Sequence, residues 1–211
     1  LPWKIRIVVA ILIGFAPSNT LRVILHKVVN RHDISFSARI GFGTVLAVDR
    51  ATVGKVIIRH FNRFEGPFAL TIEDGVRIGP SNRFHCLFNT TGRGQRLRYC
   101  KIGKNAYIHE NHLFDATGGL EIGQGSWIAG CGSQVWTHGP KFAPVIIGDK
   151  CYVSSAVRFT PGARIGNNVL VTVGSVITRP FDRDGIVLGG VPARVIREKD
   201  ISQAQPDRSP A

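Results

Sequence analysis

The sequence is poor in residue types that would direct it to other classes of protein. It contains no methionine, and its four cysteines, Cys86, Cys100, Cys131 and Cys151, show no C-x-x-C spacing. We therefore predict reduced core thiols in a cytosolic protein, and a zinc site or a disulfide is the alternative. Because the chain starts at Leu1 rather than at methionine, we expect that further residues precede it in the natural protein.

Acidic residues are also scarce. The chain has 14 Asp and Glu against 27 Lys and Arg, which gives a formal net charge of +13 and a pI near 10.4. This surplus favours anionic partners such as a phosphorylated cofactor, a nucleotide sugar or an acidic membrane surface. Nucleic acid is not the expected partner, because the basic residues are scattered along the chain and no nucleic-acid-binding motif is present.

The N-terminal apolar run is too short to cross a bilayer as a helix. It spans residues 4–15, KIRIVVAILIGF, whereas a transmembrane helix needs ~20 residues. No A-x-A cleavage pattern follows it, which argues against a signal peptide. Ser18-Asn19 predicts the start of a helix over residues 20–30. One face of this helix is apolar and another largely basic, with Leu21, Ile24, Leu25 and Val28 against Arg22, His26 and Lys27.

The sequence does contain a period of six residues. In residues 147–178 a large apolar residue returns every sixth position, and a smaller one follows four positions later. Three short straight segments of this kind make one coil, so eighteen residues return the chain above itself, ~4.8 Å higher. The large series is Ile147, Val153, Phe159, Ile165, Val171 and Ile177, and the small series is Cys151, Val157, Ala163, Val169 and Ser175.

The same period extends back to Ile34, with two interruptions. We interpret residues 89–101, NTTGRGQRLRYCK, as a loop that is either a solvated excursion or a basic lid or subunit contact. The second interruption, residues 136–145, reads WTHGPKFAPV. Both loops are expected to leave the coil at a corner, because a flat face offers no room for them.

This pattern resembles the hexapeptide-repeat acyltransferases, closest to the sugar O-acetyltransferases. The resemblance runs from about Ile34 onward and is carried by IIGDKCYVSSAVRFTPGARIGNNVLVTVGSVITRPF and the following GGVPARVIRE. It implies an all-β fold, a left-handed parallel β-helix that assembles as a homotrimer. The handedness comes from the resemblance alone, since parallel crossovers are right-handed almost everywhere else.

The resemblance divides the chain into three parts. Residues 1–33 form an N-terminal helical segment, residues 34–178 the β-helix acyltransferase domain, and residues 179–211 a C-terminal extension and tail. Two interpretations of residues 1–33 stay open. They are either a cap on the open end of the coil or a segment attached to the cytoplasmic face of the membrane, where basic residues meet anionic lipids.

The activity implied by the resemblance is acetyl-CoA-dependent O-acetyl transfer to a sugar hydroxyl of a surface polysaccharide or its precursor. No Ser or Cys stands in a nucleophile elbow, so direct transfer in a ternary complex is expected. The alternatives are N-acyl transfer to an amino sugar nucleotide and a non-catalytic β-helix scaffold. No metal is expected, because a hydratase of the γ-type carbonic anhydrase kind needs two histidines five positions apart, and the sequence has no such pair.

Candidate site residues cluster in residues 109–138. His138 is the candidate general base, since an imidazole titrates near neutral pH and Thr137-His138 resembles the family's catalytic Thr-His or Ser-His element. A surface-loop histidine is the alternative. Asn111 and Asp115 match an acceptor segment of the family one coil earlier, and Asp115 would orient an imidazole or bind the sugar.

Three more residues belong to this acceptor side. His112, at a small-residue corner position, is the second candidate for the base or else a buried structural histidine. His85 and Trp136 are assigned to the substrate. By the repeat, His85 lies in the column of Asp115, so the two side chains either pair or both face water.

The donor site is carried over from the family, which binds coenzyme A in a groove between coils of two subunits. Small residues beside the pantetheine arm match Ser154, Ser155 and Ala156, with Gly174 and Thr178 on the next coil. The phosphate contacts match Arg179, Arg194 and Arg197. Tyr152 stands where many relatives have a Trp near the thioester.

Overall fold

The computed structural model describes residues 2–88 and 98–199. It begins with two helices, α1 (Trp3–Gly14) and α2 (Asn19–Val28). The earlier strands are β1 (Asp33–Ile34), β2 (Arg39–Ile40), β3 (Val45–Val53), β4 (Ile57–Ile58), β5 (Arg63–Ile72), β6 (Arg77–Ile78), β7 (Arg83–His85), β8 (Tyr99–Ile102), β9 (Tyr107–Ile108), β10 (Leu113–Asp115) and β11 (Leu120–Ile122). The later strands are β12 (Trp127–Ile128), β13 (Gln134–Val135), β14 (Val145–Ile147), β15 (Tyr152–Val153), β16 (Arg158–Phe159), β17 (Arg164–Ile165), β18 (Leu170–Val171), β19 (Val176–Ile177), β20 (Pro180–Phe181), β21 (Ile186–Gly190) and β22 (Ala193–Glu198).

The strands stack into the three flat faces of a triangular prism. The first face consists of the first halves of β3 and β5, followed by β7, β10, β13, β16 and β19. The second face consists of β1, the second halves of β3 and β5, and then β8, β11, β14, β17 and β20. The third face consists of β2, β4, β6, β9, β12, β15, β18 and β21. The fold is a left-handed parallel β-helix of about seven turns, so the predicted fold class is confirmed.

The six-residue period places side chains as predicted. Tyr152 pairs with Leu170 and Val153 with Val171, so one coil takes eighteen residues in the regular region. Every residue of both predicted series in 147–178 is buried. On the first face the rings of Phe64, Phe84 and Phe114 stack with centroids 4.5 Å apart. That distance matches the spacing of neighbouring strands, so a column of three rings fills the prism over these three coils.

Two of the prism's edges have distinct roles. At the turn corner, between the third and first faces, tight turns with positive φ follow one another, formed by Phe61, Ser81, Asn111, Gly132, Ala156 and Gly174. At the loop corner, between the first and second faces, the coil is interrupted after β7, β10 and β13. Residues 89–97 of the first predicted loop lie outside the described residues. Its predicted end is wrong, because Tyr99 to Lys101 already belong to β8.

α2 covers the first coil with its polar face, the reverse of the orientation normally expected of an amphipathic helix. The Asn19 side chain donates to the Ala38 carbonyl and accepts from the Ile40 amide (3.0 and 2.8 Å). Arg22 Nε donates to the Ile40 carbonyl at 2.9 Å, and Lys27 Nζ donates to the Ile34 carbonyl at 2.7 Å. The polar face lies inward because the first coil has no coil beneath it to satisfy these backbone groups.

α1 lies across the outside of the first face. Its Ile7, Ala10 and Ile11 pack on Val45 and Ala47, the outward side chains of β3. Arg6 anchors the helix by donating to the Val48 carbonyl and to Asp49. Among the described residues, no helix has both the length and the apolar character needed to span a membrane.

The coil continues beyond residue 178, the predicted end of the β-helix domain. Pro180 and Phe181 pair with β17 on the second face, and Val187 and Leu188 pair with β18 on the third. The proline is tolerated at this upper end because only one neighbouring strand needs its backbone groups. β22 then turns back and pairs antiparallel with β21, whereas the other pairings among the described residues are parallel.

Candidate active site

His138 and Asp115 meet at the loop corner. Asp115 ends β10, and the register places Phe114 opposite Val135, so the chain that leaves β13 passes over the Asp115 carboxylate. His138 Nδ1 lies 2.7 Å from Asp115 Oδ2. Only Trp136 and Thr137 separate the end of β13 from His138. This short connection brings the imidazole into a hydrogen bond with the carboxylate of the neighbouring coil.

Asp115 is fully buried and held by five hydrogen bonds. Thr117 donates to Oδ1 from its backbone N–H (3.0 Å) and its hydroxyl (2.5 Å). Thr137 donates to Oδ2 from its backbone N–H (2.8 Å) and its hydroxyl (2.6 Å), and His138 is the fifth partner. Burial by itself raises the pKa of Asp115, but the hydrogen bonds from Thr117, Thr137 and His138 outweigh burial and lower that pKa below its ordinary value. The group is therefore a carboxylate at neutral pH.

This carboxylate determines which ring nitrogen of His138 can react. Because Nδ1 faces a carboxylate, the network assigns the proton to Nδ1 and the lone pair to Nε2. The His138 side chain keeps 24% of its surface exposed, so a hydroxyl can approach it from solvent. The pair can accept a proton at Nε2 while Asp115 stabilises the imidazolium that forms.

His85 and Trp136 line the same corner. The Trp136 ring lies edge-on to both histidines, with centroids 6.1 Å from His85 and 5.8 Å from His138. His85 pairs with Asp115 in register, as predicted, but its Nδ1 contacts the Phe114 carbonyl at 3.2 Å. The alternative that Asp115 faces water is wrong, since its side chain is buried. Burial lowers the pKa of His85, which makes it a neutral wall residue near neutral pH.

The structure separates His112 and Asn111 from this pair. His112 is buried, and its Nδ1 accepts from the Ser133 amide at 3.0 Å. Burial, with a smaller contribution from His109, lowers its pKa to about 4, so the geometry fits the structural alternative. Asn111 lies at the turn corner, four residues before Asp115 on an extended segment, and this places it ~13 Å across the first face.

Seven of the nine donor residues carried over from the family fall into two groups. Thr178, Arg179 and Arg194 line one open cleft of about 530 Å³, together with Pro192, Ala193 and Val195. Thr178 lies two coils above His138 on the same side of the prism, so the cleft begins ~10 Å above the candidate base. The other group, Ser154, Ser155, Ala156 and Gly174, lies at the turn corner.

Two carried-over residues lie elsewhere. Tyr152 is on the third face, where its ring packs edge-on against Trp127 with centroids 5.7 Å apart. Arg197 is exposed on β22 outside the cleft, and its Nη1 donates to the Glu198 carbonyl at 3.1 Å. The described part of one chain therefore brings the base and the arginine cleft to one side but does not gather all of the predicted donor residues.

Comparison with known proteins agrees with this architecture. No family model matches the chain. A Saccharomyces cerevisiae protein named as an acetyltransferase is 34% identical over 122 residues, 48% of this chain and 62% of that one. An Escherichia coli protein named as a colanic acid biosynthesis acetyltransferase is 26% identical over 190 residues, 88% of this chain and 92% of that one. A solved structure of a hexapeptide-repeat-containing acetyltransferase from Vibrio cholerae aligns with a TM-score of 0.54 and 17% identity, over 95% and 94% of the two chains.

The chain is therefore similar in sequence to proteins named as acetyltransferases and shares the fold of a hexapeptide-repeat-containing acetyltransferase. It spans 62%, 27% and 29% of the lengths of the first three curated relatives that it matches. Among its described residues, no group of three or more His, Cys, Asp or Glu side chains is arranged to hold a metal ion.

Sequence reasoning missed one residue of the candidate site. Thr117 makes two of the five hydrogen bonds to Asp115, and its Oγ1 also accepts from the Leu87 amide at 3.0 Å. It thereby joins the carboxylate to the chain that leaves β7. The signal was present, because a Thr two residues after an Asp is typical of a local turn in which the Asp side chain accepts from the backbone.

Proposed function

We propose that the protein is an acetyl-CoA-dependent O-acetyltransferase that acts on a sugar hydroxyl of a surface polysaccharide or its precursor. The observation that carries the proposal is the His138–Asp115 pair, which is partly exposed and lies below a cleft with two arginines. The names of the relatives support acetyl transfer, and the Escherichia coli relative supports a polysaccharide-related acceptor.

In the proposed reaction His138 Nε2 takes the proton of the acceptor hydroxyl. The oxygen then forms a bond to the thioester carbonyl carbon, and the carbonyl electrons move onto its oxygen. When this tetrahedral intermediate collapses, the C–S bond breaks, the acetyl ester remains on the sugar, and the imidazolium returns its proton to the leaving thiolate. Asp115 stabilises the imidazolium between the two proton transfers, and general base catalysis of this kind contributes ~10²–10⁴-fold in rate.

The arginine cleft is the proposed binding site for the donor's phosphates. Arg179 and Arg194 offer planar, permanently charged groups that match phosphate oxygens. Roles in donor binding for the turn-corner group of Ser154, Ser155, Ala156 and Gly174, and for Tyr152 and Arg197, remain predictions. In a homotrimer the turn corner of one subunit would face the loop corner of the next, and the two would complete one site.

The test combines calorimetry with a transfer assay. His138→Gln, which keeps a hydrogen-bonding group beside Asp115, is expected to slow acetyl transfer to an oligosaccharide acceptor ~10²–10⁴-fold. Its Kd for acetyl-CoA is expected to stay within about twofold, because Nε2 acts on the acceptor rather than on the donor phosphates. Arg194→Ala should raise that Kd more than about tenfold, the effect of losing a charged hydrogen bond.

The matched control is Arg50→Ala, an exposed arginine on β3 at the other end of the prism. It should leave both quantities unchanged. The proposal is wrong if folded protein shows no heat with acetyl-CoA or coenzyme A, or if His138→Gln transfers acetyl groups at the wild-type rate.

A further inference from the structure

The outer side of α1 is an exposed apolar stripe. Ile5, Val8, Leu12 and Phe15 recur at spacings of three and four residues, and 55% of Val8 and 68% of Leu12 are exposed. The opposite side of the same helix packs on β3, so α1 is apolar on both sides. A helix with apolar residues all round is ordinarily buried all round, which indicates that a second surface covers the stripe.

The exposed apolar surface extends beyond α1. Phe15 packs edge-on against Phe42, and Phe42 against Phe61, with centroids 5.1 and 6.2 Å apart. α2 adds Leu21, Ile24 and Val28, which face outward because its polar side chains are used on the first coil. These exposed residues of α1, α2 and the Phe ladder are here together called the helical surface.

Charge favours one occupant for the helical surface. Residues 1–32 contain five Lys and Arg and no Asp or Glu. Lys4 and Arg31 are exposed, whereas the other three basic side chains bond to the coil. The segments outside the described residues, 89–97 and 200–211, are mostly polar or charged and offer no apolar stretch to cover it. An anionic phospholipid bilayer matches both the apolar and the basic character.

We propose that the helical surface docks on an anionic phospholipid bilayer, with α1 and α2 lying in the headgroup region and not crossing it. α1 lies on the first face of the prism, the face that also carries β10 and β13 and thus Asp115 and the exit to His138. The thickness of the helix, ~10 Å, would hold this face off the membrane. If the proposed function is correct, the orientation suits an acceptor sugar linked to a lipid.

The test is co-sedimentation of the full chain with vesicles. Wild-type protein should bind vesicles of phosphatidylcholine with about one third phosphatidylglycerol, bind pure phosphatidylcholine much more weakly, and lose binding as salt rises from ~0.1 to ~0.5 M. The double variants V8D/L12D and I24D/V28D should each lower the partition coefficient more than about tenfold, since each removes two apolar contacts and adds two negative charges.

A matched control changes an exposed apolar residue far from the helices. Val173→Asp replaces a valine at the turn corner on an upper coil and should leave vesicle binding unchanged. Acetyl-CoA calorimetry on the same preparations separates this proposal from the proposed function, because α1 and α2 do not line the arginine cleft. Far-UV circular dichroism checks that each variant is folded.

Three outcomes would overturn the docking proposal. The first is equal binding to both kinds of vesicle, and the second is a folded wild-type protein that binds neither. The third is a change of mass in light scattering for V8D/L12D with no change in vesicle binding, which would assign the helical surface to a second copy of the chain.

Discussion

Replacing Asp115 by Asn tests the centre of the candidate site, because the change keeps the shape of the side chain and removes its charge. The two carboxylate oxygens accept from two different backbone amides, Thr117 N–H at Oδ1 and Thr137 N–H at Oδ2. An asparagine amide has one accepting oxygen and one donating NH2 group. In either orientation of the amide, one of these buried N–H groups therefore faces another donor.

The expected cost follows from that conflict. A buried N–H left without an acceptor costs ~1–3 kcal/mol, and hydrogen bonds to a charged group are worth roughly twice those to a neutral one. The desolvation cost of the wild-type carboxylate, which the variant avoids, offsets part of this loss. We expect Asp115→Asn to lower the free energy of unfolding by ~2–4 kcal/mol at neutral pH.

The effect should depend on pH in one direction. The pKa of Asp115 is lowered in the folded state, so its contribution is fully present above the ordinary value of 3.8 and is lost as the pH falls through the lowered folded value. The part of the gap between wild type and variant that comes from the Asp115 charge should therefore narrow below about pH 4.

Urea titrations followed by circular dichroism at several pH values measure this gap. The control is Asp149→Asn, since Asp149 is an exposed carboxylate that accepts a single corner amide, that of Gln124. A loss below ~1 kcal/mol at pH 7, or a gap that widens below about pH 4, would refute the reasoning about the two amides.

Three further results are expected. Thr117→Val should destabilise the protein by ~1–3 kcal/mol and slow acetyl transfer while leaving acetyl-CoA binding unchanged, because it removes a hydroxyl from Asp115; an unchanged rate would show that Thr117 does not position the pair. Phe114→Ala should lower the free energy of unfolding by ~3–5 kcal/mol in urea titration, since it opens a cavity in the ring column. A loss under ~1 kcal/mol would contradict the tight packing of the Phe114 ring in that column. The prediction of four core thiols is wrong for Cys131, which is exposed, whereas Cys86, Cys100 and Cys151 are buried. Cys131 alone should react quickly with a thiol reagent at pH 8 in the folded protein, because burial raises the pKa of the other three thiols, and rapid reaction of all four would contradict that burial.

Much of the coil was predictable because one physical variable, side-chain size at every sixth position, determines which residues point inward. Ile147, Phe159 and Ile177 follow that rule and are buried. The rule fails where the coil ends. Pro180 lacks the N–H expected of a strand residue, so the sequence indicated an exit at a position where the structure has one more strand. The orientation of α2 could not be predicted from the sequence either. It depends on hydrogen bonds to carbonyls of the first coil, and the spacing of apolar residues in the helix does not indicate these.

Counting by the six-residue period predicted contacts of the site only for residues that share a column of the coil. Asp115 and His85 share a column by counting, and they pair in the structure. The contact between Asp115 and His138 depends on how the chain leaves β13, and no period describes that exit. Asn111 was assigned with Asp115 to one acceptor segment by motif, but four extended residues carry it to the other edge of the face. The arginine cleft forms only once β22 folds back, a long-range event that local spacing cannot encode.

The polar contacts of α2 also have a consequence for self-assembly. A stack of parallel coils exposes unpaired amides and carbonyls at each end, and such ends template the addition of further strands from other molecules, which leads to fibres. Asn19, Arg22 and Lys27 occupy the backbone groups of the first coil, and the antiparallel β22 closes the third face at the other end. The chain thus blocks the addition of further coils at its first coil and on the third face of its last one.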